Sequence, residues 1–386
     1  MLKKYCEQEQ YRGWDPYDGL NSKIFQFLPL KKWDLARLVW IQFFKRSPIN
    51  FRKFALVPKV YNPKGIALLL SGYCNLYKIA DKGINDFGAK EGILIQINFL
   101  SNLLLETNNN DYSGSCWGYP FDWQARRLFL FPKGTPNVVT TTFCFNALID
   151  AFEVTKNEIY LNTALSSADF ILKDLKRTPH NKGFLFSYSP LDGNNTVFNA
   201  SLMGAMVLSK CYSYTNLKEY IETAKIVVDT VCSSQNEDGS WRYGLLPVQN
   251  WIDSFHTGYV LDAIQAYQNA SNDYSFQEVI EKGFNYYITN FFLAEGTPKY
   301  YHNKTYPIDI HCPGQLLITL SKLNKINQNI DLANKVILWT FQNMQDKKGY
   351  FYYQLKKGMS SKISYMRWSN AFMFYATSCL LLEENK

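Results

Sequence analysis

Gln235-Asn236-Glu237-Asp238-Gly239-Ser240-Trp241 is the stretch on which the reading of this chain turns. It is a loop built on a glycine followed closely by a large aromatic residue, and it is not alone. Related loops stand at Lys182-Gly183-Phe184, Gly296-Thr297-Pro298-Lys299-Tyr300-Tyr301 and Gln345-Asp346-Lys347-Lys348-Gly349-Tyr350-Phe351. Their glycines lie 56, 57 and 53 residues apart. A longer relative precedes them, Tyr112-Ser113-Gly114-Ser115-Cys116-Trp117-Gly118-Tyr119-Pro120-Phe121-Asp122-Trp123. Periods of this size mark stacked or ring-closed supersecondary units.

Working outward, each interval between loops holds two apolar-periodic segments of helical length and spacing, and no convincing run alternates as a strand does. One set falls near residues 34–46, 88–106, 157–175, 217–233, 275–292 and 329–345; the other near 63–80, 138–154, 196–214, 253–269, 309–324 and 365–383. Six pairs predict an all-α (α/α)6 toroid, a barrel of six helical hairpins, as one domain over residues 33–386. Residues 1–32 form an extension packed on its outside. The second set is poorer in charge and richer in Ala, Gly, Ser and Thr, which suits a crowded inner ring. The first carries Lys and Glu on one stripe, which suits an outer ring.

Composition agrees with a large packed core. Of 386 residues, 47% are apolar and 19% charged, which excludes a disordered or fibrous chain. The 27 Tyr, 27 Phe and 9 Trp exceed what such a core needs, so some are expected to line a cavity or binding face. The formal charge of +8 reads as shared along the chain, with no basic block of the nucleic-acid kind. Weak attraction to anionic sugars, phosphates or a membrane surface is compatible with it. The first residues lack an apolar core and no window of about 18 apolar residues is evident. With eight scattered cysteines that read as reduced core thiols, this predicts a soluble cytoplasmic protein.

Overlaying the inner segments aligns Cys144, Asn199, His256, His311 and Arg367, at spacings of 55, 57, 55 and 56, near the helix starts. Loops and helix N-termini should therefore enclose one mouth, where partial positive charge favours an anionic group.

Gln235, Gly239 and Trp241 fit the Q-x3-G-x-W repeat of the triterpene cyclases, and Gln345, Gly349 and Phe351 fit a degenerate copy. The chain thus resembles the α/α-toroid superfamily, which includes terpenoid cyclases, protein prenyltransferases and six-hairpin glycan-active enzymes. The D-x-D-D acid motif of the cyclases is missing, so triterpene-type protonation is not expected. Residues 251–259, 306–311 and 116–124 look like bacterial toroid proteins encoded with polysaccharide-assembly genes. That likeness, over roughly residues 110–380, implies a role in exopolysaccharide or capsule metabolism. The piece from Asp253 to Thr257 also resembles the helical domain of uronyl C5-epimerases.

Asp253 with His256, and Asp309 with His311, could each set a carboxylate beside an imidazole, as a general base near neutral pH requires. The plainer role of both aspartates is helix capping. Asp122 is a candidate acid, followed by Arg126 and Arg127, whose guanidiniums could clamp a uronate or phosphate; surface salt bridging is the alternative. Arg367 would add a cation to the cavity, or close the ring on an acid of the first repeat. Trp117, Trp123, Tyr188, Trp241, Tyr243 and Trp368 offer flat faces for a pyranose or an isoprenoid, or else pack their loops; Asn199 adds a polar contact. No cofactor is expected, although Cys116, His311 and Cys312 could in principle hold zinc. The segment 33–46 is apolar and basic enough to touch a membrane, with an outer-ring helix as the simpler reading.

Together these imply a carbohydrate-active enzyme of bacterial polysaccharide assembly. It would use Asp and His acid-base chemistry on an anionic saccharide or lipid-linked oligosaccharide, with hydrolysis, epimerisation and elimination left open. A glycan-binding scaffold and a prenyl- or terpenoid-handling enzyme remain as alternatives.

Overall fold

A computed structural model describes residues 1–125 and 130–385. Among them the helices are α1 (Leu2–Gln8), α2 (Lys23–Phe27), α3 (Asp34–Arg46), α4 (Pro63–Ala80), α5 (Lys90–Glu106), α6 (Val138–Thr155), α7 (Glu158–Asp169), α8 (Phe198–Thr215), α9 (Lys218–Cys232), α10 (Ser254–Ser271), α11 (Gln277–Phe291), α12 (His311–Lys322), α13 (Ile330–Met344) and α14 (Phe372–Glu384). A π-helical turn over Met366–Ala371 leads into α14.

Helices α4, α6, α8, α10, α12 and α14 each pack on the next, and α14 returns to α4, so the inner ring closes. Helices α5, α7, α9, α11 and α13 cover it from outside. The inner helices start where a side chain can take an orphan amide: Asn62, Asn137 and Asp253 accept from Lys64, Thr140 and His256. Three of them stop at a left-handed residue, Lys156, Asn216 or Asn272, whose amide returns to the carbonyl four residues back.

The repeating loop locks each hairpin to the next. Gln235 donates its amide to the carbonyls of Gly239 and Val279, both at 3.0 Å, while the Trp241 indole reaches Val231 O at 3.1 Å. Gln345 repeats the first contact on Gly349 O at 3.3 Å. Gly239 (φ +92°) lies so close to the backbone that a Cβ would stand 2.5 Å from Lys282 O, on α11. Gly296 meets α13 in the same way and Gly349 meets Met1 at the head of α1.

That series places α1 where the sixth outer helix belongs, and corrects the expectation for residues 34–46. These residues are helical, but α3 packs on the turns at Asp18–Asn21 and Pro29–Lys32 and on the strand at 123–124. Amphipathic spacing announces a helix without naming what it packs on. Another expectation fails at α6, which is long and apolar enough to cross a bilayer although 61% of it is buried inside the protein. An inner helix meets neighbours on almost every side, so its sequence is apolar almost all round.

Small antiparallel sheets stiffen the loops: β1 (Trp123–Gln124) with β2 (Leu130–Phe131), β3 (Arg177–His180) with β4 (Gly183–Phe186), and β5 (Ile308–Asp309), β6 (Tyr352–Leu355) and β7 (Ser361–Ser364) in one three-stranded sheet. Strands this short carry too few alternations to be read from sequence.

Candidate active site at the mouth of the barrel

Asp253 holds both of its expected positions, at a helix cap and beside an imidazole. As the N-cap of α10 it accepts the His256 amide on Oδ1 at 3.1 Å. Its Oδ2 lies 2.7 Å from His256 Nδ1 and takes the Trp251 indole N–H at 3.0 Å. The carboxylate is fully covered, whereas the imidazole side chain is 22% exposed. The imidazole belongs to a crevice of about 10 Å3 lined also by Asn199, Arg242, Tyr243 and Thr257. Asn199 Oδ1 is buried there without a hydrogen-bond partner. The Tyr243 ring stacks on Trp251 at 4.4 Å and reaches the imidazole at 4.7 Å, giving the crevice an aromatic wall.

The second pair is built differently. Asp309 Oδ1 accepts the His311 amide at 3.0 Å and the Trp368 indole at 2.9 Å, and Oδ2 accepts the Gln354 amide at 3.0 Å. The His311 ring is 3.8 Å from the carboxylate, beyond hydrogen bonding, and lies between Trp368 at 4.2 Å and Phe372 at 4.0 Å. Its Nδ1 is buried without a partner. Burial pushes the Asp309 carboxyl up to about 6. Burial, then the charges of Lys64 and Arg367 and the neighbouring His256, hold the His311 imidazole well below its ordinary range. It is a neutral, sequestered ring. Phe255 touches both imidazoles, with centroids at 4.2 Å from His256 and 5.1 Å from His311.

The other expected residues divide. Arg367 is buried and forms a two-point ion pair with Asp15, its Nη2 2.7 Å from Oδ1, so it ties the mouth to the N-terminal segment, and with Asp15 it lines a small crevice separate from that of His256. Trp117 and Trp241 are buried loop anchors, their indoles bonded to Leu104 O and Val231 O, and Trp241 also lines the His256 crevice. Trp123 stacks on Phe131 at 5.1 Å and touches Tyr17. Tyr188 pairs hydroxyls with Tyr119 at 3.4 Å. Asp122 accepts the Lys133 amide at 2.7 Å at the base of the β1–β2 hairpin, away from the His256 crevice. Arg126 and Arg127 lie outside the described residues. Cys144 falls in the second turn of α6, so Thr140 is the positional equivalent of His256.

Cys116 Sγ points at Asn109 O, and among the described residues no three of His, Cys, Asp and Glu converge as a zinc site would need.

Two features had no signal in the repeat. Lys64, buried in the first turn of α4, holds its ammonium 4.2 Å over the Phe143 ring and 3.3 Å from Tyr259 OH. Burial and then Arg367 push its amine well below the ordinary range. Deeper along the axis, Asp150, Lys210, Asp262, Gln315 and Lys322 line a second cavity of about 50 Å3.

The cellobiose 2-epimerase of Bacillus thermoamylovorans B4167 superposes with a TM-score of 0.61 at 13% identity, covering 84% of this chain and 88% of that one. The GH76 α-mannanase BT2949 of Bacteroides thetaiotaomicron gives 0.63 at 13%, covering 84% and 87%. A D-mannose isomerase gives 0.58 at 10%, covering 84% and 88%. The fold is an (α/α)6 toroid. No protein-family model and no curated protein matches the sequence of this toroid. At such identities the likeness establishes architecture, and the chemistry has to come from the residues.

Proposed function

We propose that this toroid is a sugar-processing enzyme that moves a proton with His256. The carrying observation is the 2.7 Å contact of His256 Nδ1 with Asp253, which orients the ring at an aromatic-walled crevice. That the similar folds include an epimerase, a mannanase and an isomerase supports a saccharide substrate. Among their chemistries we favour epimerisation or isomerisation. Hydrolysis of the two-carboxylate kind requires an acid and a base or nucleophile that are both free to act. Here Asp253 and Asp309 are buried and occupied by several donors each. An imidazole that takes a proton from the carbon beside a carbonyl and delivers it to the former carbonyl carbon achieves isomerisation with no second free carboxylate; epimerisation would also need a proton delivered to the opposite face of the enediolate. Asn199 Oδ1, unpartnered in the same crevice, would accept a single hydroxyl reaching in from a sugar held outside, since about 10 Å3 admits one water-sized group.

In its fuller form the reading places the substrate among the anionic or lipid-linked precursors of a bacterial exopolysaccharide or capsule, in the cytoplasm. The polysaccharide-gene resemblance, the exposed Arg242 at the crevice and eight buried free thiols support it. The test is incubation with reducing mono- and disaccharides in D2O, followed by NMR. Deuterium entering beside the carbonyl, and lost with His256→Gln, supports the reading. Glycosidic cleavage without exchange sinks it.

A further inference from the structure

The exposed apolar residues of this toroid are concentrated. Of 26 large hydrophobic side chains that face solvent among the described residues, 11 lie between Ile24 and Leu56. Phe27 is 90% exposed, Phe54 77%, Leu35 72% and Trp33 66%. On α3, Leu35, Val39 and Phe43 form an i, i+4, i+8 stripe turned outward, while Ile41 and Phe44 point inward. The pieces belong to one surface. Phe43 stacks on Phe51 at 5.5 Å, α3 packs on the turn at Pro29–Lys32, and Ser22 Oγ and the Lys23 amide bond to Ala55 O and Leu56 O.

The charge is concentrated in the same place, contrary to the even spread expected from composition. Residues 22–60 hold nine Lys and Arg and one acid, Asp34, out of the chain's 41 and 33. The remainder therefore has 32 of each sign, so by sequence the net charge of +8 resides in this segment; of its cations, Arg52 is buried against Asp18 and Lys59 is paired with Glu9, and the others serve the face. Asp34 itself is paired with Arg37.

We propose that this face docks on a bilayer surface containing anionic phospholipid. Aromatic and aliphatic side chains flanked by lysines are what an interfacial element needs, since apolar groups enter the acyl boundary while ammonium groups meet the headgroups. A protein partner recognised by the same charge would have to offer an acidic apolar patch of matching size, whereas a bilayer offers both properties everywhere. The underside of the segment is fastened to the mouth: Asp15 pairs with Arg367, Arg52 Nε pairs with Asp18 at 2.6 Å and its Nη1 reaches Tyr365 OH at 2.8 Å, and Tyr17 packs on Trp368 at 5.6 Å. A membrane seated on this face would lie over the mouth of the barrel, within reach of a saccharide carried on a lipid. That last clause rests on the reading of the site given above; the docking itself does not.

The experiment is flotation of the full chain with vesicles of phosphatidylcholine alone, and with roughly a third phosphatidylglycerol added. We expect binding only to the anionic vesicles and its reversal at high salt. The triple variant Phe27→Ser, Trp33→Ser, Leu35→Ser changes exposed side chains, and its melting curve should match the parent. It should lower partitioning at least ~10-fold, and Lys31→Glu with Lys32→Glu should do so independently. Equal binding to both vesicles, salt-insensitive binding, or unchanged binding by both variants with the fold intact would overturn the proposal. So would a dimer in solution that the triple variant abolishes while vesicle binding never occurs. Because flotation needs no turnover, a positive result stands even if the deuterium-exchange test fails.

Discussion

His256 works through one neighbour, and that makes it separable from the fold. Gln keeps the approximate size and one hydrogen bond to Asp253 but cannot take a second proton. His256→Gln is therefore expected to lower turnover by about 10²–10⁴ while costing no more than ~1–2 kcal/mol, read from steady-state rates beside urea unfolding. His311 behaves in another way. The unfolded chain protonates this imidazole below its ordinary value of 6.5 and the folded chain does not, so its contribution falls as pH drops through 6.5. Asp309 opposes it, because the folded carboxyl holds its proton up to about 6 and the unfolded one only to 3.8, so that contribution is lost as pH rises between them. In urea unfolding at pH 7.5 and pH 5, the stability gap between the parent and His311→Gln should narrow at the lower pH. A gap that stays constant would mean that the ring is protonated in the fold. The Asp253 and His256 pair was legible in sequence because an N-cap fixes the carboxylate three residues before the imidazole. The burial of His311 was not, since the ring that covers it comes from Trp368 in the next repeat.

At the level of elements, the loop aromatics carry the load between hairpins. Trp241→Ala should cost ~3 kcal/mol or more in unfolding free energy, the scale of a buried large-to-small change. Gly283 on α11 lies under this ring, where a Cβ would stand 2.5 Å from Trp241 Cζ3. Gly283→Ala should destabilise by overpacking, and the double variant should cost less than the two singles added, because the alanine methyl occupies space the indole has left. Additive costs would show that the two do not share this contact. The ring order of these helices was readable from the 53–57 residue period and from the charge difference between the two sets. The destination of α3 was not, because two apolar faces fit a ring position and a position over the mouth equally well. The slip of Cys144 by one turn has a similar cause: α6 is apolar nearly all round, so its apolar positions align as well one turn away.

On the scale of the whole molecule, the mouth is held by a buried ion pair between distant parts of the chain. Asp15→Ala would leave the Arg367 guanidinium buried without its carboxylate, at a cost of ~3–5 kcal/mol in denaturant unfolding. Adding Arg367→Met should recover much of the loss, since removing both charges removes the uncompensated one. If Asp15→Ala melted like the parent, the segment would not be fastened as described. The sequence offered an acid of the first repeat as the alternative partner of Arg367, and the partner is instead Asp15 of the N-terminal segment, because nothing in a repeat says which acid outside it completes the ring.

The place of α1 in the ring carries a consequence for synthesis. Tyr5 bonds Ser364 across 359 residues and Asp15 meets Arg367 across 352. At the usual ~5–20 residues per second, a ribosome needs roughly 20–70 s to deliver those partners after the first residues have emerged. Through that interval the first helix lacks its partners in the last repeat, although Glu7 and Tyr11 can already meet Tyr73 and the stretch behind it can pack on itself. A pulse-chase protease assay should therefore show the first helix protected last.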